Sequence, residues 1–281
     1  MRVITLLTDF GLADEYVAVM KGVMLGINPD VRIVDISHLI EPQDCDKAGR
    51  MLKAAYRWFP KGTIHLAVVD PGVGSARDIL VTAHDEHVFI APDNGVLTWV
   101  WETGDTRAIV RVEDQRFFLQ PVSATFHGRD IFAPLAAQVS LGADLNTLGS
   151  SRSADQVVRR PAPKAQTADE EILGQIVDWD HFGNLRTNIE ADQLASLGAR
   201  AGLAGLLVHV GMHRIRGVSH TYADNANGEL TALVGSRGQL EIATNGGSAR
   251  QLTGAGAGTR VCIRPTGHLP STQWATRYDE K

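Results

Sequence analysis

Asp70, Arg77 and His127 are the residues of this chain whose types and spacing suggest chemistry. Asp70 opens the segment Asp70-Pro71-Gly72-Val73-Gly74-Ser75-Ala76-Arg77, and His127 sits between Phe126 and Gly128 in Thr125-Phe126-His127-Gly128-Arg129-Asp130. A carboxylate, a guanidinium and an imidazole that converge can orient a water molecule, take its proton and stabilise developing charge. Each also has an ordinary reading: Asp-Pro-Gly is a common turn, arginine a common surface charge, and a histidine beside an aromatic a core residue. Rival motifs are weaker. The pair Gly72 and Gly74 lacks the third glycine of a dinucleotide fingerprint and the Gly-Lys-Ser/Thr of a phosphate loop. His84-Asp85-Glu86-His87 has metal-like spacing but falls in an expected hairpin, where a solvated turn is the simpler reading, and no metal is expected. Gly235-Ser236-Arg237-Gly238 has the wrong spacing for a nucleophile elbow.

The elements that must position these residues follow from hydrophobic period. Val3 to Leu7 reads as a strand ending at Thr8-Asp9-Phe10-Gly11. Val17, Met20, Val23, Met24 and Ile27 have a helical period that Asn28-Pro29 stops. Ile33–Ile36 is a second strand, and Asp44 caps a helix that buries Ala48, Met51, Leu52 and Ala55. The strand from Thr63 to Val69 delivers Asp70. A hairpin (Ile79–Ala83, Val88–Ile90), a turn at Asp93-Asn94-Gly95 opening a short helix, a strand at Ala108–Val112 and a helix over about Arg129–Val139 complete the half. Alternating strands and helices imply right-handed crossovers and a mostly parallel central sheet, whose strand ends are ligand sites.

The second half is β-like, with short apolar runs at Ile172–Val177, Leu206–Val210, Leu230–Val234, Gln239–Ala243 and Val261–Ile263 between Gly and Asn turns. The expected organisation is an N-terminal α/β domain over residues 1–152, a polar linker over 153–169, and a smaller C-terminal β-barrel domain over 170–281 with a loosely held tail after Thr266. Length and composition fit two globular domains: 281 residues, 44% hydrophobic, 21% charged. A formal charge of −5 argues against nucleic acid or an anionic membrane as partner. There is no run of eighteen apolar residues, and Asp9 comes too early for a signal peptide. Two isolated cysteines, Cys45 and Cys262, give neither a disulfide framework nor a zinc site. A cytoplasmic location is expected.

Six ordered motifs resemble the S-adenosylmethionine (SAM) hydroxide adenosyltransferases, relatives of the SAM-dependent fluorinase and chlorinase. They are Thr8-Asp9-Phe10-Gly11 with Asp14, Tyr16-Val17 and Met20-Lys21-Gly22; Val69 to Arg77; Ala91-Pro92-Asp93-Asn94-Gly95; Thr125 to Asp130; Asp180 to Asn188; and Ser236 to Ala243. The resemblance runs from about Val3 to Ile263, with small departures such as Ala18 in place of a usual glycine.

The resemblance implies a homotrimer with each active site between the α/β domain of one subunit and the barrel domain of its neighbour, and no cofactor besides the substrate SAM. Asp9 would hold the ribose hydroxyls. Asp180 and Ser236 would hold the methionine end, with Arg237 near its carboxylate. Phe182, Asn184 and Tyr222 would border the adenine, and Phe126 joins the substrate-binding set. The reaction would be attack of water or hydroxide on C5′ of SAM, releasing adenosine and methionine. Asp70 and His127 would orient the water and accept its proton while Arg77 stabilises charge; alternatively Arg77 and His127 would hold a preformed hydroxide.

Two rival functions fit the sequence less well. Halogenase relatives carry an aromatic at the position of Asp70, and the fluorinase carries a serine at the position of Gly128. An ionised Asp70 about 4 Å from a halide would repel it by roughly 4 kcal/mol at an effective dielectric near 20. A non-catalytic SAM or adenosine binder would be expected to have lost a member of the triad, and all three are present.

Overall fold

The computed structural model describes residues 2–168 and 170–267. Two compact units divide at Ala162/Pro163. The expected tail beyond Thr266 lies, after Gly267, outside the described residues.

The first unit runs β1 (Val3–Thr8), α1 (Tyr16–Ile27), β2 (Arg32–Ser37), α2 (Cys45–Ala55), β3 (Ile64–Val68), β4 (Ile79–His84), β5 (His87–Pro92), β6 (Thr106–Val112), α3 (Ala133–Ser140) and β7 (Gly149–Ser151). One sheet has the order β2-β1-β3-β5-β4-β6-β7. Alternate residues face opposite ways along a strand. Accordingly Ile4, Leu6, Ile64, Leu66 and Val68 pack with Val17, Met20 and Leu135 of α1 and α3. Leu7, Ala67 and Val69 pack with Ala48 and Leu52 of α2. The helix carrying these two is capped by the Asp44 side chain, which accepts from Lys47 N at 2.8 Å.

The sheet is mixed, not mostly parallel. β2–β1, β1–β3 and β3–β5 are parallel, whereas β5–β4, β4–β6 and β6–β7 are antiparallel. The tight Asp85-Glu86 turn returns the chain beside itself, which a parallel pair cannot do. Two helices also differ from expectation. Gly95 opens a run of turns, with Thr98 N bonded to Gly95 O, and no helix is formed there. The helix expected from Arg129 begins as a π turn over Gly128–Phe132 before α3.

Within the stretch read as a linker, residues 157–168 are tied into the two units. Val157 is buried, Val158 N donates to Asp93 Oδ1 at 2.8 Å, and Arg160 pairs with Asp46. Residues Gln166–Ala168 form β8, which pairs with β9 of the second unit.

That unit continues with β9 (Glu171–Trp179), β10 (Leu185–Glu190), α4 (Ala191–Ala201), β11 (Leu206–Val210), β12 (His213–Arg216), β13 (Leu230–Val234), β14 (Gln239–Thr244), α5 (Ala249–Thr253) and β15 (Arg260–Pro265). The order β12-β11-β15-β9-β10-β14-β13 is antiparallel throughout. A bridge between Ser219 and Leu233 brings the two ends together, so the sheet is nearly closed. Its interior is aliphatic: Ile172, Ile176, Leu185, Val208, Ile242 and Val261.

Candidate active site

β1 and β3 lie side by side in parallel, with Thr8 opposite Val68. Asp9 and Asp70 therefore leave the same edge of the sheet, at the carboxyl ends of adjacent strands, where α/β sheets bind ligands. Asp9 is held by a hydrogen bond to its Oδ2 from Gln43 N at 2.8 Å.

The loop after Val69 folds tightly enough to bring Arg77 back onto Asp70. Gly74 makes this possible: its φ is +77°, and a Cβ there would stand 2.4 Å from Ala124 O. Ser75 Oγ donates to Gly72 O at 2.6 Å and fixes the turn. The guanidinium then straddles the carboxylate. Arg77 Nε donates to Asp70 Oδ1 at 2.9 Å and to Oδ2 at 3.0 Å, and Nη2 also donates to Oδ2. Nη2 additionally lies 2.8 Å from His127 Nδ1, and the guanidinium carbon is 5.4 Å from the centre of the Phe132 ring. Both members of the ion pair are nearly buried. The three residues singled out from sequence thus form one connected group.

His127 stands at the entrance of the π turn. Burial first, then the Arg77 cation beside it, hold its imidazole below the ordinary histidine value, against the opposing pull of Asp70 and Asp130. Phe126 packs edge-to-face on Tyr16 at 5.0 Å and on Phe10 at 6.1 Å. Gly128 faces this aromatic group; a Cβ on it would stand 3.0 Å from Met20 Sδ, 3.1 Å from Phe126 and 3.2 Å from Phe10.

The second unit has its own pocket, lined by Asp180, Arg186, Tyr222, Gly235, Ser236, Arg237, Gln239, Leu240 and Glu241. Four of these, Asp180, Tyr222, Ser236 and Arg237, are sequence-predicted. Asn184 holds the pocket wall: its backbone N–H donates to Asp180 Oδ1 at 2.9 Å and its side-chain amide to Oδ2 at 3.0 Å. Phe182 does not line the pocket and is 73% exposed.

Sequence reading missed Arg186 and Glu241. Tyr222 donates its hydroxyl to Glu241 Oε2 at 3.1 Å. Arg186 stands 3.3 Å from Asp178, 3.7 Å from Glu241 and 4.0 Å from Asp180. Burial and the neighbouring Glu241 push the Tyr222 phenol up to about 12, so it stays a neutral donor. The alternation Leu185, Thr187, Ile189 inward and Arg186, Asn188 outward was the signal for β10.

His84 and His87 depart from the expected solvated turn. Asp85 and Glu86 form the turn, but both histidines are buried with Tyr56, His65 and Phe89. Among the described residues no group of three His, Cys, Asp or Glu is arranged to hold a metal ion.

An Asp–Arg–His group beside the carboxyl ends of parallel strands in the first unit, and a charged pocket in the second, are features of the α/β enzyme class. Comparison with known families makes that class particular. The SAM hydroxide adenosyltransferase N-terminal domain matches residues 4–149 and its C-terminal domain residues 174–262. The chain belongs to this family. It is 38% identical to an (R)-S-adenosyl-L-methionine hydrolase of Salinispora tropica, over 92% of this chain and 97% of that one. It is 30% identical to a fluorinase of Nocardia brasiliensis, over 93% and 96%. A solved structure from Thermotoga maritima, titled as an uncharacterized conserved protein, superposes with a TM-score of 0.87 at 37% identity, covering 93% of this chain and 99% of that one.

Proposed function

We propose that the protein hydrolyses S-adenosyl-L-methionine to adenosine and L-methionine by attack of a water oxygen on C5′. The O–C5′ bond forms as the C5′–S bond breaks. The electron pair of the latter goes to sulfur, leaving a neutral thioether, and the water loses one proton. The observation that carries this reading is the assembled Asp70–Arg77–His127 group, together with relatives named as hydrolases across nearly the whole chain.

The geometry favours one division of labour. Arg77 has N–H groups to give and no acceptor. At 2.8 Å from it, His127 Nδ1 must therefore be the acceptor, and the imidazole proton sits on Nε2. His127 is then a donor to the attacking oxygen. Proton acceptance falls to Asp70, whose oxygens keep lone pairs beyond those that Arg77 uses. Arg77 holds the other two in register and offsets the charge of the carboxylate. An ionised Asp70 also favours water over halide at this position.

In this reading Asp9 takes the ribose diol, Phe126 contributes to the nucleoside side, and Asp180, Ser236, Arg237 and Tyr222 take the amino-acid and adenine ends. No cofactor takes part. The enzyme works as a cytoplasmic homotrimer, in which residues of the two halves meet across subunit boundaries. No helix among the described residues is long and apolar enough to cross a membrane.

The test is incubation with SAM in oxygen-18 water, with the two sulfonium epimers supplied separately because the relatives' names specify the R form. Adenosine labelled at its 5′ oxygen is expected. Unlabelled adenosine, or none from either epimer, would overturn the proposal. Light scattering tests the trimer.

A further inference from the structure

The Ala91-Pro92-Asp93-Asn94-Gly95 motif contributes no residue to the chemistry, yet it touches both ends of the loop that does. Asn94 Nδ2 donates to Val69 O at 2.8 Å, the carbonyl immediately before Asp70. Asp93 N donates to Asp78 O at 2.9 Å, immediately after Arg77. The eight-residue loop from Asp70 to Arg77 is thus tied at its two flanks by two consecutive residues of one turn.

The local sequence explains why a side chain is used at one of these flanks. β5 runs parallel to β3 and ends at Pro92, which has no N–H to contribute to the ladder. The amide of Asn94 supplies a donor beyond that point. Its own Oδ1 accepts from Val96 N at 3.2 Å, an Asx turn that aims the amide. Cys45 Sγ is the other group on Val69 O, at 3.7 Å, and a thiol is a weak donor. At the second flank the Asp93–Asp78 bond continues the β5–β4 ladder one step past Ile79 and Pro92.

We infer that Asn94 is a positioning residue for catalysis: its side chain clasps the Val69 carbonyl and so fixes where Asp70 stands against Arg77 and His127. The inference rests on the hydrolase reading for its kinetic arm alone. Loss of the clasp frees the Asp70 end of the loop while the Asp93 end stays tied. A displacement of about 1 Å at the reacting groups costs on the order of 100-fold in rate.

The test uses Asn94→Ala and Asn94→Ser in the full-length protein. The serine hydroxyl keeps an acceptor for the turn but loses the amide donor, so it serves if the alanine variant does not fold. Both variants are expected to lower kcat by about 10- to 100-fold with KM for SAM within about twofold. His127, followed by NMR titration, is expected to move further below its ordinary value, because Asp70, which pulls it up, moves away while the Arg77 end of the loop stays tied. A purely structural role would lower the melting temperature without moving His127. Unchanged His127 titration in a folded variant overturns the inference, whatever kcat does. If the wild-type protein releases no adenosine, the hydrolase reading fails and the titration still decides the clasp.

Discussion

Arg77 and His127 meet in a one-way contact: the guanidinium donates and the imidazole Nδ1, 2.8 Å away, accepts. The contact exists while Nδ1 is unprotonated, which links the rate to the titration of His127. Because burial and Arg77 depress that titration, the neutral form persists below the ordinary value near 6.5. The rate is expected to stay level on lowering pH through 6.5 and to fall below it. Arg77→Lys keeps a cation but loses the fork that spans Asp70 and His127. It is expected to lower kcat by about 100-fold and to move the acid limb of the pH profile to higher pH. An acid limb that does not move would refute the contact's role.

Gly128 has a packing reason to be glycine in this chain. A Cβ would press on Met20, Phe126 and Phe10 together, and these aromatic rings already pack on one another. Gly128→Ser is expected to destabilise the protein by about 1–3 kcal/mol, read as a lower denaturant midpoint. With chloride and SAM it is expected to yield no 5′-chloroadenosine, because Asp70, proposed above to face the nucleophile, is retained. Chlorinated product from this single change would show that Gly128, not Asp70, sets the choice of nucleophile.

The triad was legible because its members sit in short motifs whose loops need particular residues: the left-handed glycine at 74, the aromatic and glycine around His127. The hairpin at Asp85-Glu86 and the Asp44 cap were legible for the same local reason. What escaped depends on long-range packing. β10 carries Arg186 and Asn188 among apolar residues, so its period was lost inside a recognisable motif. Glu241 looks like a surface residue of β14, and only the fold brings it under Tyr222. The polar stretch 153–160 lacks period, yet Val157 and the Arg160–Asp46 pair secure it. The helix after Glu190 had a capping-box signal, Glu190 with Gln193, that its small residues obscured.

Glu241 and Gly235 are coupled by space. A Cβ at position 235 would stand 2.3 Å from Glu241 Oε2, the atom that receives the Tyr222 hydroxyl. Gly235→Ala is therefore expected to push the carboxylate aside and to mimic Glu241→Gln, which removes the charge opposite Arg186. Both should raise KM for SAM about tenfold, a loss of about 1.4 kcal/mol in binding, with kcat little changed. Steady-state kinetics of the two variants checks this; an unaltered KM in both would remove Glu241 from the binding pocket's framework.

Buried His65, His84 and His87 are expected to set the acid limit of stability. His65 donates to or accepts from Thr5 Oγ1 at 2.7 Å and stacks on Phe89 at 4.9 Å. Burial, then the charge of His87, bring its value down to about 3. His84 and His87 are lowered in the same direction by burial. The unfolded chain therefore binds more protons than the folded one between about 6.5 and 3. The contribution is fully present above the unfolded value and is lost as pH falls through that window. For His65 alone the loss approaches about 5 kcal/mol at the acid end. His65→Phe removes this titration at a cost of about 1 kcal/mol at pH 7 for the unpaired Thr5 hydroxyl. Denaturant unfolding at pH 7 and pH 4 is expected to show the variant less stable at the first and more stable at the second. Equal pH slopes for the two proteins would mean that His65 is not the group that limits stability in acid.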